Sequence, residues 1–344
     1  MIGKLTLKDG TTLHGKSFGY ETSTSGEVVF STGMVGYPES ITDPSYRGQI
    51  LVLTYPLIGN YGVPNKKYWE SSQIQIKGLI VSDYIDTYSH HSAKMSLGSW
   101  LKKEKIPALQ IKDTRFLTKK IRVEGAMLGK VLLKQNVDWY DPDKDDLVAE
   151  VSLKKPLTVG RGKIKVGLLD CGTKRNIINE LVKRGVEVSV LPHDYDFSLG
   201  KRFHALIVSN GPGNPKRATP AVKAVQQALQ KNIPILGICL GNQLLTLAVG
   251  GDTRKLKFGH RSQNQPCLLV GTNKCFLTTQ NHGYVVSKIP KGFREWFVNA
   301  NDQTNEGIIH EKYPIMSVQF HPEATPGPED TDWIFDFFLK NAKV

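Results

Sequence analysis

The chain has 344 residues, 40% of them hydrophobic and 22% charged, with a formal net charge of +13. This length exceeds what one hydrophobic core usually supports, so two domains are expected, and the composition excludes a disordered or fibrous chain. No stretch is apolar over the length a membrane span needs, and MIGKLTLKDG at the start carries no apolar targeting run.

The opening KLTLKDGTTLHG alternates about Asp9–Gly10, the pattern of a β-hairpin with a tight turn. GEVVFSTG and GQILVLTYP continue as strands. Residues 94–105 are expected to be helical, as is DTRFLTKKIRVEG, which Gly125 stops. Strands and helices mix here without a regular beat, so 1–151 is expected to be a smaller α+β N-terminal domain. SLKKPLTVGRGK, 152–163, is basic, carries Pro and Gly, lacks periodicity, and is assigned as a linker.

From 164 to 344 the character changes. IKVGLLD is a strand, and TKRNIINELVKRG is a helix that Gly185 closes. VEVSVLP and HALIVSN are strands. TPAVKAVQQALQK is a helix with Thr219 as N-cap and Pro220 at its first position, followed by the strand IPILGI. This alternation predicts an α/β domain, a mostly parallel sheet with helices on both faces. Ligands of such sheets sit beyond the carboxyl ends of the strands.

Within IPILGICLGNQLLTLAVGG, Cys239 stands between two glycines where a strand gives way to a helix over 242–249. A helix N-terminus behind a thiol offers free N–H groups and a positive end, the conditions that activate sulfur. The plain alternative is a small buried apolar residue. A cysteine nucleophile needs a base, and the base an orienting group. In SVQFHPEA a strand over 315–320 delivers His321, with Glu323 two residues on. Neutral imidazole can take the thiol proton and return it to a leaving amine. GPG at 211–213 offers backbone N–H groups to a developing oxyanion. TQNHGYVV, 279–286, is read as a loop after a strand, where Asn281 and the Gly283–Tyr284 backbone would meet a small polar substrate. His282 competes as a base but has no carboxylate beside it. No metal site is expected.

GICLGNQ with HPEA downstream resembles a class I, triad-type glutamine amidotransferase. The fuller set is TGMVGYPESITDPSYRGQILVLTYPLIGNYG at 32–62, DTRFLTKKIR at 113–122, SNGPGNP, QNHGY and VQFHPEATPGP. Together these resemble the glutaminase small subunit of carbamoyl-phosphate synthetase, from about residue 11 to 340. The wording GMVGYPE and NANDQTNEGI resembles the form fused to the synthetase in eukaryotes, so a free subunit and a domain of a fused chain both stay open.

The resemblance implies a Cys239–His321–Glu323 triad and an oxyanion hole from the N–H groups of Gly211 and Leu240. It implies glutamine binding by Gln243, Asn281, Gly283, Tyr284 and Gly213, with Gly33 reaching in from the N-terminal domain. It implies ammonia delivery to a synthetase large subunit or domain, in a heterodimer or a fused chain, for carbamoyl phosphate synthesis from bicarbonate and ATP in arginine or pyrimidine formation. This chain has no Walker-type loop, so it is expected to hold no cofactor itself; ATP and Mg belong to the partner.

At 242 the family usually has His and this chain has Asn, which is expected to tune coupling to the partner. At 33 a serine contact of many relatives is lost to Gly. Alternatives left open are a non-catalytic docking subunit of the same fold and an amidotransferase serving another synthase.

The four cysteines form no CxxC pair, which fits a reducing, cytoplasmic setting, with a mitochondrial form left open. Lys154–Lys155, Lys174–Arg175, Lys183–Arg184 and the basic run 254–257 are not interleaved with aromatics and read as solvated faces. They favour an acidic protein partner over nucleic acid or a membrane surface.

Overall fold

The computed structural model describes residues 1–198 and 203–343. The chain divides into two compact units, Met1–Asp145 and Asp146–Val344.

The first unit holds β1 (Ile2–Leu7), β2 (Thr12–Ser17), β3 (Thr24–Ser31), β4 (Gln49–Leu53), β5 (Leu57–Ile58), β6 (Val63–Pro64), β7 (Gly78–Val81), β8 (Asp83–Tyr84), β9 (Ala93–Met95), β10 (Ala108–Gln110) and β11 (Met127–Leu132). Its helices are α1 (Tyr37–Thr42), α2 (Leu97–Lys103) and α3 (Thr114–Glu124). The hairpin at Asp9–Gly10 forms, with Leu5 facing Leu13 across it. Strands β1, β11, β3, β4, β7, β10 and β2 close in that order into a barrel. Period-2 patterning puts Leu5 and Leu7 of β1 inside. Closure is the feature the irregular strand–helix mix concealed: β3, β4, β7 and β10 run parallel while the others pair antiparallel. Helix α3 is capped by the Asp113 side chain and ends at Gly125.

The second unit holds α4 (Leu147–Val151), β12 (Leu157–Val159), β13 (Ile164–Asp170), α5 (Arg175–Lys183), β14 (Val186–Pro192), β15 (Ala205–Val208), α6 (Thr219–Gln230), β16 (Ile235–Ile238), α7 (Leu240–Ala248), β17 (Asp252–Leu269), β18 (Cys275–Lys288), β19 (Phe293–Asn299), β20 (Asn305–His310), β21 (Ile315–Val318) and α8 (Trp333–Asn341). The sheet order is β12-β14-β13-β15-β16-β21-β20-β19-β17-β18. Strands β14, β13, β15, β16 and β21 form the parallel core. Beyond β21 the sheet continues antiparallel through β20, β19, β17 and β18.

Alternate residues of the core strands face opposite layers. Ala205 and Ile207 pack with Ile177 and Leu181 of α5 and with Phe335 and Phe338 of α8. Leu206 and Val208 pack with Ala221 and Val225 of α6 and with Leu244 and Leu245 of α7. Helices therefore cover both faces, and strands buried on both sides read as continuous apolar runs.

Two local expectations change. The segment 152–163 contributes β12, an edge strand paired antiparallel with β14, and the Ser152 hydroxyl accepts from His193 N–H at 3.0 Å. Three residues of strand are too short to show periodicity. Helix α6 begins one residue early, with Ala218 rather than Thr219 at the N-cap.

The turn into α7 is sterically closed. A Cβ on Gly241 would lie 2.1 Å from the Val208 carbonyl oxygen, and one on Gly237 would lie 2.5 Å from the Gly241 carbonyl oxygen. Both obstacles are backbone and cannot yield as a side chain would. Gly241→Ala is therefore expected to cost at least about 3 kcal/mol of stability, the upper range for overpacking, read as a drop in the urea midpoint.

Candidate active site

Cys239 is the hinge between β16 and α7. Its N–H donates to the Val318 carbonyl at 2.8 Å, carrying the β16–β21 pairing one residue further. Its backbone then reverses at φ 54°, ψ −102°, a conformation costly for any residue with a side chain. The strand–turn–helix elbow holds a side chain at the carboxyl edge of the sheet against the first turn of a helix, where N–H groups lack intrahelical partners. The residue is 1% exposed. Its Sγ lies 3.8 Å from the Asn281 carbonyl oxygen and 3.7 Å from Gln319 Nε2.

Neighbouring β21, parallel to β16, leads to His321. The backbone of His321 is pinned by its N–H donating to the Thr279 carbonyl at 3.0 Å. His321 Nδ1 lies 2.6 Å from Glu323 Oε1, which assigns the proton to Nδ1 and leaves Nε2 for chemistry. Nε2 is buried and makes no hydrogen bond of ordinary geometry. Burial favours neutral imidazole, but the Glu323 charge and the Cys239 thiol outweigh it and raise the His321 pKa.

Glu323 is itself held. Lys174 Nζ lies 3.0 Å from Glu323 Oε1 and donates to the Ala324 carbonyl at 2.6 Å. Asn176 Nδ2 donates to the Glu323 carbonyl. Burial would raise the Glu323 carboxyl, but the Lys174 and His321 charges pull it down to about 2. Lys174 was expected on a solvated face and is instead 2% exposed. It sits at the N-cap of α5, where its N–H donates to Asn210 Oδ1 at 3.0 Å and its side chain enters the site. One charged residue at a strand–helix junction carries no periodic signal that would separate inward from outward.

Comparison with known proteins bears on this arrangement. Residues 167–341 match the family model described as Glutamine amidotransferase class-I. The chain belongs to the class-I glutamine amidotransferases. Residues 5–131 match Carbamoyl-phosphate synthase small chain, CPSase domain. The multifunctional protein pyrABCN of Emericella nidulans is 47% identical across 98% of this chain and 17% of its own length. The mitochondrial carbamoyl-phosphate synthase [ammonia] of Homo sapiens is 47% identical across 98% of this chain and 24% of its own length. The multifunctional protein CAD of Squalus acanthias is 47% identical, covering 99% of this chain and 16% of its own. The chain thus spans less than a quarter of each of these relatives.

The remaining residues expected in the amidotransferase site fall as follows. Leu240 opens α7 directly after Cys239, and its side chain packs against Gly211 in the loop after β15. Gly213, in the same loop, lies against Leu147. Gln243 Nε2 donates to the Tyr284 carbonyl at 2.8 Å, joining α7 to β18. Asn281 presents its carbonyl to Cys239, and Gly283 lies beside the Arg261 guanidinium. Gly33 belongs to the first unit, in the loop after β3, with its N–H donated to Ser31 Oγ at 3.3 Å.

The stretch 279–286, expected as a loop, lies within β18 and pairs antiparallel with β17. Irregular register between Lys255 and His260 accommodates residues that break strand propensity. His282 does not serve as a second base. Its Nδ1 lies 2.9 Å from the Tyr284 carbonyl, its Nε2 3.0 Å from Gln280 Oε1, and burial followed by the nearby His260 charge pushes its pKa well down. His260, His282 and Glu306 bring their ligand atoms within 4.8 Å of one another and could hold a cation. The Gln280 amide oxygen, 2.9 Å from His260 Nδ1, already occupies the space between the two rings.

Asn242 faces inward and is fully buried. It donates to Gln319 Oε1 at 3.1 Å and accepts from Ser317 Oγ at 2.7 Å, and Gln319 in turn reaches the thiol. Sequence reasoning also passed over Gln319, although it lies inside the quoted SVQFHPEA.

The ion chain sets a pH window. Glu323, depressed to about 2 against an ordinary 4.5, contributes stability above about pH 4.5 that is lost as pH falls toward 2. His321, raised above its ordinary 6.5, contributes stability below that value that is lost at alkaline pH. Lys174→Met removes the larger of the two charges holding Glu323 ionised. It is expected to destabilise the protein by about 3–5 kcal/mol near neutrality, as when one partner of a buried pair is removed. The deficit should shrink toward pH 3, measured by urea unfolding across pH.

Proposed function

We propose that this chain is the glutamine-hydrolysing part of a carbamoyl-phosphate synthetase. The observation that carries the reading is the thiol of Cys239 on a strained elbow, one strand away from the His321–Glu323 pair. The Cys239 thiolate attacks the glutamine carboxamide carbon. His321, holding the thiol proton, returns it to the departing nitrogen, and ammonia leaves with a γ-glutamyl thioester behind. Water then attacks the thioester, giving glutamate and regenerating the thiol. The N–H groups of Gly211 and Leu240 meet the oxyanion formed at each step. Gln243, Asn281, Gly213, Gly283 and Tyr284 hold the amino acid.

The ammonia passes to a synthetase that consumes bicarbonate and two ATP, either a separate subunit or another part of a fused chain, in the cytoplasm. One of the relatives above is named for ammonia as substrate. A chain dependent on ammonia alone would have no use for a thiol paired with a base, and this chain keeps Cys239, His321 and Glu323. The first unit and the basic surface serve docking of the synthetase, and the excess of +13 favours an acidic partner face.

Cys239→Ser is expected to cut glutamine hydrolysis at least about a thousandfold, the scale seen when a nucleophile is removed from a concerted site. Glutamine should still bind. With the synthetase present, carbamoyl phosphate should still form from added ammonium. Retained glutamine-dependent synthesis would reduce Cys239 to a packing residue. Loss of both routes in an intact complex would overturn the division between ammonia supply and ATP chemistry.

Association with the synthetase is expected to weaken as salt rises from about 0.05 to 0.5 M, because exposed charges are screened within roughly 10 Å at 0.1 M. Analytical ultracentrifugation reads this directly, and a salt-independent complex would remove the electrostatic account of docking.

A further inference from the structure

The thiol has a second polar neighbour besides the Asn281 carbonyl. Gln319 is fully buried, one residue beyond β21 and two before His321. Its Nε2 lies 3.7 Å from Cys239 Sγ, within reach of a hydrogen bond to sulfur. Its Oε1 accepts from Asn242 Nδ2 at 3.1 Å and from Gln243 Nε2 at 3.1 Å.

The direction of this amide is determined by backbone. The Tyr284 carbonyl can only accept, so the Gln243 atom 2.8 Å away must be its NH₂ group. That same NH₂ faces Gln319, so the Gln319 atom opposite it must be the oxygen. The NH₂ of Gln319 is then turned to the sulfur. Asn242 fits the same choice: with its NH₂ on the Gln319 oxygen, its own oxygen accepts from the Ser317 hydroxyl. The main-chain N–H of Gln319 donates to the Glu306 carbonyl at 2.8 Å, so the residue cannot swing away.

We infer that Gln319 is a further catalytic residue, an N–H donor to the Cys239 sulfur that stabilises the thiolate and couples it to the substrate-contacting Gln243. The inference rests on the glutaminase reading for what the thiolate attacks. The hydrogen bond itself stands independently of that reading. A donor aimed at an anion favours the charged form, and a buried thiolate has little water to do the same. The donor withdraws no proton and forms no bond. It acts in the resting thiolate and again when the thioester breaks and sulfur recovers its charge.

The test uses the full chain carrying Cys275→Ser, because Cys275 is the exposed thiol; peptide mapping separates Cys239 from Cys171 and Cys267, which are buried as Cys239 is. Alkylation of Cys239 by iodoacetamide is followed by mass spectrometry from pH 5 to about 10, a range that spans ordinary thiol titration. Gln319→Met keeps the length and removes the donor. It should move the profile up by about one pH unit, which is about a tenfold slowing at a fixed pH on its rising limb. Gln319→Glu keeps the shape and the acceptor for Asn242 and Gln243 but faces sulfur with a carboxylate. Its profile should move further in the same direction, and it carries the test if Gln319→Met fails to fold. In glutamine hydrolysis kcat should fall with the alkylation rate, and KM should rise in Gln319→Met, where Gln243 loses its acceptor, more than in Gln319→Glu. A folded variant of either kind with the parent alkylation profile overturns the proposal. A parent chain that alkylates as expected but does not hydrolyse glutamine overturns the activity reading alone.

Discussion

A carboxylate with no solvent exposure stands at the carboxyl end of the parallel sheet, and the local architecture is arranged around keeping it ionised. Leaving Glu323 unpaired in that position would cost several kcal/mol. Lys174 from the start of α5 supplies the compensating charge at 3.0 Å, and His321 meets the same carboxylate oxygen at 2.6 Å. Three stretches far apart in the chain are drawn to one point by this requirement: the β13–α5 junction, the segment after β21 and, through Asn210, the end of β15. Because breaking one partner leaves the others buried and charged, the arrangement is close to all-or-none. That suits a site in which an imidazole must keep one orientation.

The thiol is constrained by sterics instead of charge. The elbow at Cys239 forces positive φ on a residue with a side chain, and backbone of Val208 and Gly241 fills the space on either side. Strain of this kind persists only where surrounding structure over-determines it. Here the determinants are the main-chain bond to Val318 on one side and the packing of α7 against α6 through Ala221, Ala224 and Ala228 on the other. Small residues on α6 bring the helices close and leave the first turn of α7 little freedom.

Much of this was legible in the residues. The strand–helix beat after 164 produced the parallel core, since strands buried on both faces read as unbroken apolar runs. The cysteine between glycines and the His-Pro-Glu turn announced themselves by residue type and spacing. What escaped detection has two physical causes. Lys174 and Gln319 are single polar residues at element ends, where no period distinguishes a buried side chain from a solvated one. The antiparallel extension and the strand character of 279–286 depend on pairing with β17, a partner whose register is broken between Lys255 and His260. The barrel of the first unit was hidden for a related reason. Closure is a relation between β1 and both β11 and β2, and no local window contains it.

That closure also decides what the first unit can offer to another protein. In an open sheet the outermost strands carry a row of unsatisfied N–H and C=O groups, and foreign strands add themselves to such rows. A seven-stranded ring has no outermost member. Recognition by strand addition is therefore closed to this ring, and the vocabulary left to it is that of side chains and connecting loops. A surface of that kind can be rewritten residue by residue without touching the hydrogen-bond ladder that holds the barrel shut.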